Sequence, residues 1–99
     1  MHSNSKKNPK PHHLYSIYEK ETEDVLKYGI SCEKIGEDGL SKRPRRQTNL
    51  FNIAAGFLKF FAKILLYNIP GRAEAERIEQ EHIEAYRKKH GHKPPGNLK

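Results

Sequence analysis

The stretch AEAERIEQEHIEAYRKKHG, set off by Pro70-Gly71 before it, restricts the fold of this chain more than any other segment. At about 100° per residue, Ala75, Ile78, His82, Ile83 and Tyr86 fall on one helical arc roughly 140° wide. A helix with such a stripe must lay it against a sheet or another helix. Glu74, Glu76, Glu81 and Glu84 fall outside the arc, where solvated carboxylates belong. Glu79 falls inside it, between Ile78 and Ile83. Burying a lone carboxylate is costly unless a cation or hydrogen-bond donors compensate. Three arrangements satisfy Glu79: a bound cation, a structural bridge to Arg43, Arg46 or Lys27, or a helix rotated to return it to water.

The remaining segments supply partners for this helix. LYSIY and VLKYGI are short β-rich runs around the charged turn EKETED, a hairpin pattern. CEKIGEDGLSKRPRR reads as a long polar loop that ends in a basic cluster and contains Pro44. A helix is expected from near Arg45 through RQTNLFNIAAG, stopped by Gly56. FFAKILLYNI reads as a buried strand ended by Pro70, and the last helix spans about Ala73 to His90, stopped by Gly91. The order is β-β-α-β-α: an α+β fold with a small antiparallel sheet of about three strands and flanking helices. Residues 1–11, rich in Ser, Asn, Lys and Pro, read as a flexible basic lead or linker to a domain at 12–99. That lead suits the end of a longer parent chain.

Ninety-nine residues allow one domain with a small core. Lys and Arg number 19 against 12 Asp and Glu, a formal charge of +7 that favours a polyanionic partner. The single cysteine, Cys32, excludes an internal disulfide and a cysteine-rich zinc site. The opening MHSNSKKNPKPHH has no apolar core of the kind a signal peptide needs. FLKFFAKILLYNI is too short, and too often broken by lysine, to span a bilayer.

With these segments in order, the chain resembles the GIY-YIG (URI-fold) nucleases. Leu14-Tyr15 stands where that family has the end of its GIY, and Tyr28-Gly29 stands near its YIG, followed by Ser31. SKRPRRQ is similar to the family's arginine at the start of its first helix. AERIEQEHI resembles the helix that carries the metal-binding glutamate, here Glu79. PPGN ends at Asn97, similar to a late asparagine. There are three departures, and the last two leave alternatives open. His13 replaces the first glycine, and KYGIS in place of YIG lets either Lys27 or Tyr28 hold the second tyrosine position. The long loop before the arginine leaves both Arg43 and Arg46 eligible. Among relatives, the resemblance is to toxin-type domains at the C-terminus of bacterial polymorphic toxins.

The resemblance implies a metal-dependent endonuclease cutting nucleic acid, DNA favoured over RNA. Glu79 is then the sole protein ligand of Mg²⁺, or of Mn²⁺, with water and phosphate oxygens completing the shell. Tyr15 orients or deprotonates the attacking water, with Tyr28 sharing the role. A phenol of pKa about 10 is a poor base at neutral pH, so this role requires a nearby cation to depress it. Arg43 or Arg46 clamps the scissile phosphate, and Asn97 holds the C-terminal tail against the site. His13 and Lys27 are supporting candidates. Read from the residues alone, the tyrosines are strand residues and SKRPRR is a solvated basic loop. His12 and His13 then continue an exposed lead, and His90 and His92 are tail residues. His82 reads as partly buried and internally satisfied.

The resemblance also implies a monomer, delivered as part of a larger secreted effector and acting in the cytoplasm of a target cell. An acidic immunity protein is the partner expected to neutralise it, and no membrane partner is expected. A second reading is a basic nucleic-acid-binding module without catalysis. A third, a membrane-active domain built on FLKFFAKILLYNI, ranks last because its lysines are few. No aromatic stacking platform for bases is evident in the sequence.

Overall fold

The structure, a computed structural model, describes residues 10–36 and 39–97. The expected flexible lead lies outside the described residues as far as residue 9. Three strands, β1 (Pro11–Glu19), β2 (Val25–Ser31) and β3 (Phe60–Pro70), form one antiparallel sheet in the order β2-β1-β3. Two helices, α1 (Lys42–Ala55) and α2 (Arg72–His90), and a 3-10 turn at Pro95–Asn97 make up the other regular elements among the described residues. This is the α+β architecture and the β-β-α-β-α order that the residue pattern predicts.

β1 is central, and His12 through Ile17 are buried without a break. A strand covered on both faces shows a continuous buried run instead of alternation. His12 and His13 therefore belong to the sheet, against the expectation of an exposed lead. One ring nitrogen of each is hydrogen-bonded: His12 Nδ1 donates to the Lys10 carbonyl at 2.7 Å, and His13 Nε2 shares a 2.8 Å hydrogen bond with Ser41 Oγ, while His12 Nε2 is buried without a protein partner among the described residues. Pro11 opens the strand, a position where its missing N–H is tolerated.

α1 begins at Lys42, so the basic run is its first turn and not a loop. Pro44 fits there because first-turn N–H groups have no helical acceptor to lose. Gly56 ends the helix at φ 82, donating to the carbonyls of Asn52 and Ile53. Asn52 then fixes the start of β3. Its Oδ1 accepts from the N–H groups of Lys59 and Phe60 at 2.9 and 2.7 Å, and its Nδ2 donates to Phe60 O. β3 is an edge strand with Phe61, Leu66 and Tyr67 exposed, not the buried strand its apolar run suggests.

Leu14, Ile30, Ile69 and Ala75 form the main core, with Tyr28, Leu65 and Ile78 packed against it. Ala75 and Ile78 place the apolar arc of α2 over that face of the sheet. Successive strand residues point to opposite faces, so His13, Tyr15 and Ile17 face the other way, where His13 and Tyr15 bond to the N-terminal half of α1. Each buried aliphatic side chain contributes about 1.5–3 kcal/mol, so a core this small leaves modest stability. Among the described residues no helix is long and apolar enough to cross a membrane.

Candidate active site

A cavity of about 330 Å³ opens beside edge strand β2. The sheet contributes Tyr15, Lys27 and Gly29, and α1 contributes Arg43 and Gln47. From α2 come Arg72, Glu79 and Ile83, and from the C-terminal tail Lys93, Gly96 and Asn97. Local periodicity explains the convergence. Arg43 and Gln47 are one helical turn apart on α1. Arg72, Glu79 and Ile83, at spacings of seven and four, lie along one flank of the α2 arc.

Tyr15 is nearly fully buried and lies over Gly29, its cross-strand partner. A Cβ on Gly29 would come within 2.8 Å of Tyr15 Cε1, and closer still to Cζ and Oη. The missing side chain thus lets the phenol reach past the strand to Gln47, whose Oε1 accepts from Tyr15 Oη at 2.6 Å. Burial pushes the Tyr15 phenol well above its ordinary pKa; Arg43 pulls it down, while Glu79 and Glu33 push it further up. The depression that a base role for Tyr15 would require is therefore absent. Burial outweighs the pull of Arg43, and Tyr15 keeps its proton at neutral pH.

Glu79 faces the cavity, half-buried on α2. Burial raises its carboxyl above the usual range; Arg72 pulls it down, Glu76 raises it, and Lys27 and Arg43 pull it down. The three neighbouring cations do not fully offset desolvation, so further positive charge would stabilise the carboxylate. Arg72 is also engaged with Glu76, Nε to Oε1 at 3.0 Å. Arg43 Nη1 approaches the Ile30 carbonyl at 3.4 Å, which holds its guanidinium at the end of β2.

Asn97 seals the outer edge of β2. Its Oδ1 accepts from Tyr28 N at 2.8 Å and its Nδ2 donates to Tyr28 O at 2.9 Å, as a neighbouring strand would. Gly96 permits that approach, since a Cβ there would meet Leu26 O and Lys27 Cβ at 2.9 Å.

The structure thus brings Tyr15, Lys27, Arg43, Glu79 and Asn97 to one cavity. Arg46 is exposed on α1 and does not line it. The Tyr28 side chain points to the opposite face of the sheet from Tyr15, because Tyr28 pairs with Ser16 while Gly29 pairs with Tyr15. Its ring lies beside His82, with centroids 5.4 Å apart. His82 Nδ1 bonds to the Ile78 carbonyl at 2.9 Å, not to Glu79. His13 is buried away from the cavity, and burial, followed by His12, lowers its pKa while Glu33 raises it.

Sequence reasoning missed Arg72, Gln47, Lys93 and the reason for Gly29. Arg72 stands two turns before Glu79 and Gln47 one turn after Arg43, so extending each helical face would have found both. Chemically, four basic side chains surround one carboxylate and a protonated phenol. Such a recess attracts an anionic group while holding one oxygen ligand ready for a cation. Among the described residues no three His, Cys, Asp or Glu side chains are grouped to hold a metal. The donor set fits an ion that takes one or two carboxylates and keeps several waters, as Mg²⁺ does, and not a zinc-type centre.

Neither the curated proteins nor the solved structures gave a match to this chain. A family model described as URI fold toxin 2 matches residues 5–91, a span that includes Tyr15, Gly29, Arg43, Arg72 and Glu79. The chain therefore belongs to the URI fold toxin 2 family.

Proposed function

We propose that this domain is a metal-dependent, GIY-YIG-like endonuclease that hydrolyses phosphodiester bonds of nucleic acid. The observation that carries the reading is the convergence of Glu79, Arg43 and Tyr15 from three different elements on one basic cavity. Membership of a toxin family supports it. Arg43 clamps the scissile phosphate through its planar guanidinium, and Lys27, Arg72 and Lys93 neutralise the remaining phosphate charge. Glu79 would hold Mg²⁺ or Mn²⁺, which when bound stabilises charge on the phosphate and the leaving oxygen.

Tyr15 acts as a positioning group for water, not as a base. Its proton is committed to Gln47, so the oxygen presents only lone pairs to the cavity. It accepts a hydrogen bond from the attacking water and turns the water's free lone pair toward phosphorus. Arg43, not Arg46, is the arginine assigned to the phosphate. Asn97 keeps the tail on β2 and so maintains the cavity wall.

The biological setting in this proposal is delivery within a larger effector and action in the cytoplasm of a target cell. The domain acts as a monomer, and an acidic immunity protein neutralises it by covering the basic face. Incubating the protein with plasmid DNA and total RNA, in Mg²⁺ and in chelator, tests the activity and ranks the substrates. Cleavage only with the metal is expected; intact substrates in every divalent metal would leave the alternative, a non-catalytic basic binding module.

A further inference from the structure

The C-terminal half of α2 gathers aromatic rings that the proposed chemistry does not use. His82, Tyr86 and His90 recur every four residues on one helical face. His90 stacks on Tyr86 with centroids 4.0 Å apart and planes 28° apart, and His92 meets Tyr86 edge-on at 5.9 Å. Tyr28 continues the row through His82. A second cavity, about 320 Å³, is lined by Tyr86, His90, His92 and Pro95 together with Glu19 and Asp24. His90 and His92 are exposed, so the fold does not need their rings for its core.

This cavity shares a wall with the Glu79 site. Along the tail, His92 and Pro95 face the aromatic cavity, while Lys93, Gly96 and Asn97 face the other. On β2, Leu26 faces one and Lys27 the other. The linings differ in charge. Glu19 and Asp24 repel a phosphate but accept hydrogen bonds from the amino groups of a base, whereas the neighbouring cavity is basic. Lys93 on the shared wall and Lys89 at an adjoining opening suit the connecting backbone.

We propose that Tyr86, His90 and His92 form a stacking subsite for an unpaired base of the strand whose phosphate occupies the Glu79 cavity, which makes single-stranded nucleic acid the preferred substrate. This inference rests on the nuclease reading of that cavity. Aromatic side chains bind bases through their π-faces with little sequence preference, whereas a duplex keeps its bases within the stack.

The test measures binding of fluorescein-labelled single-stranded DNA, single-stranded RNA and duplex DNA to the Glu79→Gln protein and to its His90→Ala/His92→Ala derivative. The two single-stranded arms separate the DNA and RNA sources of the same unpaired base. On at least one single strand the derivative is expected to bind about tenfold more weakly, with less than about twofold change on duplex. A strand carrying one abasic nucleotide at the stacking position should show the same loss without any change in the protein. Equal loss on single strand and duplex, or no loss on either, overturns the subsite. If wild-type protein cuts while the histidine variant binds as before, only the subsite falls. If no cutting occurs in any metal while stacking-dependent binding persists, only the nuclease reading falls.

Discussion

The Tyr15 ring occupies the space where a side chain on Gly29 would stand, so the two positions form one structural unit. Gly29→Ala must move either the ring or β2, because a Cβ would lie within 2.8 Å of Cε1. We expect a stability loss of about 1–3 kcal/mol, the usual cost of overpacking, together with loss of the Tyr15–Gln47 hydrogen bond. Cleavage should fall at least about tenfold. A double-mutant cycle with Tyr15→Ala checks the assignment: without the ring, adding the Gly29 methyl should cost much less. Equal costs in both backgrounds would refute the packing argument.

The paired hydrogen bonds between Asn97 and the Tyr28 backbone predict a graded response at the edge of β2. Asn97→Ala removes both and is expected to cost about 1–3 kcal/mol. Asn97→Asp keeps an acceptor for Tyr28 N–H and should fall between Ala and the parent. Hydrogen exchange reads this directly: the Tyr28 amide should lose protection in the Ala variant, while amides of central β1 stay protected.

If Glu79 holds the proposed metal, it links stability to both pH and divalent cation. Its folded-state pKa is raised by burial, so its protonated form is favoured in the folded protein. Its contribution is therefore fully present below the unfolded value of about 4.3 and is lost as pH rises through the raised value. Without divalent metal, Glu79→Gln should melt above the parent at pH 7, and the gap should close near pH 4. Saturating Mg²⁺ should raise the melting temperature of the parent and leave the Gln variant unmoved. Thermal melts across pH, with and without metal, measure both effects.

His13 predicts the opposite slope. Burial lowers its pKa, so the folded protein binds fewer protons there than the unfolded chain. The stability it supports is complete above the unfolded value of about 6.5 and is lost as pH falls through the lowered one. His13→Gln should flatten acid destabilisation below about pH 6.5, whatever it costs at neutral pH. An unchanged pH profile in that variant would remove His13 from the account.

How much of this was legible depended on whether periodicity or distance set the outcome. The inward placement of Glu79 follows from helical spacing, and the hairpin from two β-rich runs around a charged turn. Arg72 is hidden by a helix start read at about Ala73, one residue past its place at the head of α2. Pro44 concealed the start of α1, since a proline in a first turn reads like one in a loop. His12 and His13 looked exposed because histidine carries no strong burial signal, and their cover comes from β3 and α1, far along the chain. The base role of Tyr15 needs a depressed phenol, and the sequence shows Arg43 but not the desolvation that outweighs it. The choice of Arg43 over Arg46 needed the rotation of α1, and the separation of Tyr28 from Tyr15 needed the strand register. Histidines at four-residue spacing were readable, but their contact with Tyr86 and the tail was not.

The most direct test of the central claim compares nucleic-acid cleavage by parent and Glu79→Gln protein in Mg²⁺, with binding measured on the same samples. The Gln variant is expected to bind as tightly as the parent yet cut at least about a thousandfold more slowly, the scale expected when stabilisation of transition-state charge is removed. Cutting by Glu79→Gln at the parental rate, or undiminished cutting by the parent in chelator, would contradict that claim.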